Sequence, residues 1–432
     1  MRESGDTKAV PPAIRASRRQ ASVAFVLITL GIDAFGVGVV IPVIPELVRR
    51  LSGQAIGSAS IWVAVLVSAY AFAQFLAAPV LGGLSDRFGR RPVILMSVIG
   101  ICVNYILLAV APSLGWILVG RLLAGATAAN TSASTAYIAD VTPPELRAQR
   151  FGLIGATFGL GFVLDPAIGG AVGFYWLRGP FVLSAVMAGL NALYGIFVLP
   201  ESLPRELRRP FDWRRANPIG SIGGLARDGF IARLAGAWSG LWFGISVLQR
   251  VFVLYTTLRF HWTPIENGAA LAFVGLSQAV VQGLLVKRVV NRLGEARAAM
   301  IGCGLDALAF LIFAIAPASW VLFPAILIQA AGSIAPAAIR AMLSARVGPT
   351  RQGEMQGALS SVEGLTQIAA PLIAGGLFSL CSTATATVYF PGAPLLLATV
   401  MYTGSLLFVA SATRFLKTAA DAAPIPAERN PI

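Results

Sequence analysis

One histidine and three cysteines in 432 residues leave little from which to build a metal centre, a disulfide framework or a nucleophile–base pair. Cys102, Cys303 and Cys381 sit in apolar runs without metal-ligand spacing. His261 stands beside Trp262 in a short polar break and reads as an exposed loop residue. No Walker-type nucleotide loop is present. Enzyme activity, a cofactor and nucleotide-driven work therefore find no support, and an ion gradient is the expected source of energy. Charge is scarce as well: 12% of residues are Asp, Glu, Lys or Arg, where ordinary soluble domains carry about 25%. With 56% hydrophobic residues and a mean hydropathy of +0.77, a chain of this length cannot hide its apolar surface from water. Its main solvent is lipid.

A hydrocarbon core about 30 Å thick takes roughly 20 apolar residues per helix. Breaks at Gly, Pro and charge clusters predict twelve transmembrane helices, near 21–47, 59–83, 92–111, 114–139, 151–174, 180–199, 231–258, 265–290, 297–316, 319–344, 353–380 and 392–415. Backbone groups in lipid must be satisfied within their own segment, so these runs are helices rather than strands. The first 20 residues are polar and basic, and the apolar run behind them is too long for a signal-peptide core, so it reads as a retained first helix. The net charge of +14 would suit nucleic acid, but its distribution does not. Of 33 Lys and Arg, 27 fall in the tails and alternate loops, against four (Arg49, Arg50, Arg178, Arg259) in the opposite loops. That is the positive-inside pattern, with both termini cytoplasmic. Lipid is the expected partner, nucleic acid is not, and a bacterial-type inner membrane is the expected location.

The chain also repeats itself. Arg87 and Gly89 recur as Arg292 and Gly294, Gly152 as Gly357, and Pro166 and Gly170 as Pro371 and Gly375, every pair at one offset. The second copy of the charged loop has Asn291 in place of Asp86. The expected organisation is a tail (1–20), a six-helix half (21–199), a basic linker (200–230), a second six-helix half (231–415) and a C-terminal tail (416–432), functional as a monomer. Parallel repeats with a site between them near the midplane are one plan of secondary transporters.

Ionisable groups inside a bilayer cost about 2.5–3.5 kcal/mol each on insertion scales, so each marks a candidate site. Asp33 leads, in Asp33-Ala34-Phe35-Gly36-Val37-Gly38 ahead of Pro42 and Pro45. It is either a proton-exchanging acid or a structural one bonded to a neighbouring backbone. Arg121 cannot shed its charge and must be paired or face water; it is either a protonation-linked switch or a fixed ion pair. Asp306 and Glu363 are intramembrane acids, and Arg250 lies in the seventh helix. Asp306 is a second proton or substrate group; Glu363 and Arg250 form an ion pair with each other or touch substrate. Gln74, Asn104, Asp165, Gln278 and Gln282 complete the cavity candidates. Between the second and third helices, Gly82-Gly83-Leu84-Ser85-Asp86-Arg87-Phe88-Gly89-Arg90-Arg91-Pro92 packs several charges into one turn. Asp86 can sit at the positive end of another helix's dipole, with Arg87, Arg90 and Arg91 on acids or lipid. The cluster is a gate latch or simply a topological anchor. Gly159, Gly161, Gly169 and Gly170, with Pro166, give the fifth helix small faces for close packing.

That charged loop resembles the signature of the major facilitator superfamily, and the resemblance extends over nearly the whole chain. The Asp33–Pro45 run, Gly120-Arg121-Leu122-Leu123-Ala124-Gly125 and Gly159-Leu160-Gly161 with Pro166, Gly169 and Gly170 are similar to motifs of the drug:proton antiporters, in particular the tetracycline-efflux branch. The resemblance implies coupling or gating roles for Asp33, Asp86, Arg121 and Asp306, and a functional polar position at Gln282. The chain departs from that branch at Asn104 (an Asp there), Gln278 (a His in many), Asp165 (a Gly), and Arg250 and Glu363 (uncharged). The expected activity is proton-coupled export of amphipathic small molecules, tetracycline-like drugs first. The alternatives are a symporter importing a metabolite or organic anion and, more remotely, a non-transporting receptor.

Overall fold

The structure, a computed structural model, describes residues 25–32, 35–36, 38–128, 130–208, 210–211, 228–346, 352–383 and 386–421. Asp33, both tails as far as Ala24 and beyond Asp421, and most of the linker lie outside the described residues. Among the described residues every regular element is helical. They are α1 (helical at 25–32, 35–36 and 38–40), α2 (Ile44–Ser52), α3 (Ile56–Phe88), α4 (Arg90–Val110), α5 (Leu114–Ala126), α6 (Asn130–Val141), α7 (Pro144–Tyr175) and α8 (Gly179–Val198). After the linker come α9 (Gly229–Phe260), α10 (Pro264–Val280), α11 (Val286–Leu293), α12 (Glu295–Ile315), α13 (Leu322–Gly332), α14 (Ile334–Arg346), α15 (Gln352–Ser382) and α16 (Ala393–Asp421). Nine helical stretches among the described residues are long and apolar enough to cross a membrane, and Leu114–Ala126 is a shorter apolar helix.

Four expected single helices are interrupted, the 21–47 segment by a turn at 41–43 between α1 and α2. The 114–139 segment ends α5 at Ala126, where the Thr127 hydroxyl bonds back to the carbonyls of Leu123 (3.0 Å) and Ala124 (3.3 Å). Such a back-bond only loosens a helix locally; Thr256 makes the same pair of bonds inside the unbroken α9, so it caps the end of α5 without being its cause. The 265–290 segment passes through a π-turn at Val281–Leu285 before α11. The 319–344 segment breaks at Ser333, whose Oγ donates to the Ala330 carbonyl (2.7 Å). Helix starts follow their sequences more simply. Thr263 and Glu266 form a reciprocal capping box on α10. Asp228 caps α9 by accepting from the Phe230 (2.8 Å) and Ile231 (3.3 Å) N–H groups, and Arg346 reaches its other oxygen at 3.4 Å.

The repeat seen in the sequence has a structural counterpart. Gly89 (φ 110°) and Gly294 (φ 78°) both break their helices in a backbone conformation that disfavours side chains. Pro166 and Pro371 both lie inside long helices. Gly170 and Gly375, four residues beyond these prolines, both lie where first-repeat helices meet second-repeat helices. α7 crosses α10 with Gly170 against Gly268, so closely that a Cβ on either would strike the facing backbone at Pro264 or Pro166. α3 runs along α15, where a Cβ on Gly375 would stand 3.2 Å from the Ser60 carbonyl and collide with Ala64. Ser60 Oγ donates to the Gly375 carbonyl (3.1 Å) and Ser68 Oγ to that of Ile368 (2.8 Å). Gly57 meets Ser382 further along the same pair. The crossings at Gly57, Gly375 and Gly268 belong to the helix ends away from the 82–92 loop.

Adjacent glycines in α15 test this packing. Gly375→Ala is expected to cost about 1–3 kcal/mol through overpacking. Gly376, with none of the described residues within 4 Å of an added Cβ, should tolerate Ala or gain up to about 1 kcal/mol from helix propensity. Thermal unfolding in detergent separates the two. A second expectation concerns Asp228. Burial pushes its carboxyl up, but the two backbone donors and Arg346 outweigh that and leave it below the ordinary carboxylate value. A lowered folded-state value contributes stability above the unfolded carboxyl's pKa of about 3.9, and that stability is lost as pH falls through the folded value. Asp228→Asn, which keeps a capping acceptor, should flatten the acid limb of a stability–pH profile below about pH 4.

Candidate functional site

Glycines set the approach of the helices that build the cavity. Gly125 lets α5 lie directly on the α3 backbone at Tyr70–Gln74. That contact holds Arg121, one turn back, with its guanidinium 5.8 Å from the centre of the Tyr70 ring. Its Nη2 donates to Asn104 Oδ1 on α4 (3.1 Å), beside the open face of Gly120. In α1, Gly36 makes room for the Tyr105 ring and Gly38 for Asp165: a Cβ at position 38 would lie 2.9 Å from Asp165 Oδ2. The glycine missing before Pro166 is thus balanced by one in the facing helix. Asp165 is 2% exposed, and its Oδ2 has no hydrogen-bond partner among the described residues.

These residues line a cavity of about 340 Å³. Gln74, Asn104, Arg121, Asp165 and Arg250, all singled out in the sequence, share its wall with Tyr70, Tyr105 and Gln249. Val40, Ile41, Leu66, Ile101, Ile117 and Phe181 are among its apolar lining. A mostly apolar wall with a few converging polar groups is what small-molecule sites use. Sequence reasoning missed Tyr70, Tyr105 and Gln249. Only Gln249 gave a signal, as a second polar residue beside Arg250 within an apolar run.

Other candidates lie elsewhere. Glu363 does not pair with Arg250. It accepts from Trp238 Nε1 (3.1 Å) and faces Arg340 at 3.7 Å, while Arg340 also stacks over the Trp238 ring (5.1 Å). The correction has a simple cause: Arg340 reads as a loop charge in sequence, yet α14 carries it alongside α9 and α15. Asp306 is buried in α12 against Gly332 of α13, with Oδ1 unbonded among the described residues, and lies off the described cavity wall. Gln278 donates to Gln329 (3.1 Å), and Gln282 is exposed in the π-turn. Gly159 and Gly161 run within α7, and Gly169 of the same helix packs on the Val39 backbone. His261 is exposed, as expected.

The charged loop closes on its own side of the protein. Arg90 binds Asp86 (2.6 Å) and reaches Asp140 of α6 (3.3 Å). Asp86, in the last turn of α3, is thus paired with the first residue of α4. Arg91 donates to the Ile196 carbonyl (2.7 Å), and Arg87 lies over Phe88. Gly82 and Gly83 lie in the last turns of α3, and the space beside Gly83 is filled by the Phe211 ring. Glu201, the first acid of the linker, fills the space where Gly89 has no side chain. It accepts from the backbone N–H groups of Arg90 (2.8 Å), Ser202 (3.0 Å) and Leu203 (3.0 Å). Neither Asp140 nor Glu201 stood out in sequence, because acids at helix ends are ordinary.

Membrane-length helices in a structural repeat, with a mixed cavity between the repeats, define a secondary transporter. Comparisons with known proteins narrow the class. The model of the Major Facilitator Superfamily matches residues 26–328 and 251–429. Over 86% of this chain and 93% of its own length, the class C tetracycline resistance protein of Escherichia coli is 38% identical. The class B protein of the same organism is 34% identical over 80% and 86%. Among solved structures, the human organic anion transporter MFSD10 (TETRAN) aligns with TM-score 0.67 at 24% identity, covering 93% of this chain and 100% of that one. The nucleoside transporter NupG aligns with TM-score 0.71 at 12% identity, covering 93% and 99%. The chain belongs to the Major Facilitator Superfamily, in the branch that contains the tetracycline resistance proteins.

Glu201→Ala removes one acceptor from three backbone donors. The Arg90 amide is expected to exchange its hydrogen faster by about one order of magnitude, while amides within α9 stay unchanged. Hydrogen-exchange mass spectrometry over 86–92 reads this directly.

Proposed function

We propose that this protein is a proton-coupled secondary exporter of amphipathic small molecules, with tetracycline-like drugs as leading substrates. Twelve transmembrane helices would work as two six-helix halves (21–199 and 231–415) joined by the 200–230 linker. The nine membrane-length helices support that count, together with three more crossings made by α1–α2, α5–α6 and α7. The positive-inside charge pattern supports cytoplasmic termini and a bacterial-type inner membrane. The carrying observation is the cavity, bordered by helices of both repeats and holding Arg121, Asn104 and Asp165, in a chain of the tetracycline-resistance branch.

In this reading the halves rock about the crossings of α7 with α10 and α3 with α15, exposing the cavity to each face in turn. Asp33 takes and releases the proton that drives the exchange, and Arg121 answers the change in charge. Asp306 serves as a second coupling acid in the other half. The 82–91 loop, through Gly82, Asp86, Arg87, Gly89, Arg90 and Arg91, latches the cytoplasmic side in one state and releases it in the other. The protein acts as a monomer.

Everted vesicles provide the test. Wild-type protein should accumulate labelled tetracycline when the interior is acid, and collapse of the proton gradient should abolish uptake. Asp33→Asn should lower gradient-driven uptake at least about a hundredfold, with the protein still monodisperse in detergent. Undiminished uptake by that variant would remove Asp33 from the coupling role. Uptake that ignores the gradient would remove proton coupling altogether.

A further inference from the structure

The cavity wall is unbalanced in charge. Arg121 and Arg250 both line it, and Asp165 is the described carboxylate on the same wall. Asp165 forms no ion pair with either arginine among the described residues. Arg121 is partly provided for: it donates to Asn104 and lies against the Tyr70 ring. Arg250 is not. It is half-buried about two-thirds of the way along α9, and no acid among the described residues lies within ion-pair distance. It also feels the Arg121 charge. Removing such a cation from water costs several kcal/mol unless an anion or water answers it, and a guanidinium stays charged under all physiological conditions. Most of the remaining wall is apolar, Val40, Ile41, Leu66 and Ile117 among it.

We propose that Arg250 is a specificity-determining residue that selects substrates carrying an anionic group, a carboxylate or similarly delocalised oxyanion, on an apolar body. The planar fork of Arg250 matches such a group with two parallel hydrogen bonds. The apolar wall takes the ring system. An anion seated between Arg250 and Arg121 also relieves their mutual repulsion, so a neutral isostere of the same shape leaves both effects unused. The assignment rests on the transport reading for its physiological meaning, but binding alone tests it.

The experiment uses the full-length protein in phosphatidylcholine nanodiscs with a matched pair of probes, 1-naphthaleneacetate and 1-naphthaleneacetamide, read by calorimetry near neutral pH. Wild type should bind the acid about tenfold or more tightly than the amide. Arg250→Gln should erase that preference by weakening the acid far more than the amide, and retained amide binding together with an unchanged thermal unfolding midpoint in detergent reports an intact fold. Arg250→Lys should keep part of the preference, since it retains charge without the fork. Equal binding of both probes to wild type, no binding of the acid, or an acid preference that survives in Arg250→Gln would each overturn the proposal. Vesicle uptake separates the two readings. Loss of gradient-driven drug uptake with the acid preference intact removes the exporter and leaves the anion site. Intact uptake without that preference removes the anion site alone.

Discussion

Hydrocarbon offers no hydrophobic gain for bringing two helices together, so close contact must come from shape and from polar groups that find each other. In this protein that constraint is met at two places where side chains are nearly absent. Gly170 and Gly268 let α7 and α10 touch backbone to backbone, and Gly375 lets α15 lie on Ser60 and Ala64 of α3. The hydrogen bonds at the second crossing, from Ser60 and Ser68 to backbone carbonyls, are uncharged. A contact made of glycine surfaces and hydroxyls can part and reform without stranding an ion in lipid. The two crossings hold the repeats together, while Arg121 is set within the first repeat by Gly125 against α3.

Formal charge is used differently in the two environments. Near the loop end, ions are paired generously: Arg90 with Asp86 and Asp140, Arg208 near Glu201, Arg346 with Asp228. Each such exposed pair contributes little to stability, about 0–1 kcal/mol, and their value lies in fixing loop geometry. Inside the helices the reverse holds. Arg250 has no partner acid among the described residues, and Asp165 and Asp306 each keep one oxygen without a bond there. Unmet polar capacity is costly in a low-dielectric medium, and its concentration in the chain's interior is what a protein handling charged cargo or protons requires.

Much of the architecture was legible in the sequence because lipid forces helices, and helix length and charge placement then follow simple rules. The repeat was legible too, and it carried more than similarity: Gly89 and Gly294 share an unusual backbone angle, and Gly170 and Gly375 both sit at repeat-to-repeat contacts. Four of the polar cavity candidates, Gln74, Asn104, Asp165 and Arg250, proved to share one wall with the coupling candidate Arg121. Lateral neighbours were illegible. Nothing in the sequence says that Gly38 leaves room for Asp165, or that Arg340 rather than Arg250 stands beside Glu363. Opposite charges on different helices invite pairing on paper, and only the rotation of each helix about its axis decides it.

The two copies of the glycine turn have drifted to opposite conditions. At Gly89 the open side is occupied by Glu201 and crowded by Arg208; at Gly294 none of the described residues stands within 4 Å of it, with Asn291 close by in sequence where the first copy has an acid. Duplicated segments under equal demand should resemble each other in their surroundings as well as in their backbone. Here the symmetry survives in the path of the chain but not in what touches it, so the two bends are free to evolve separately, one bound to the interdomain connector and the other available for foreign inserts such as an epitope or a crystallisation chaperone.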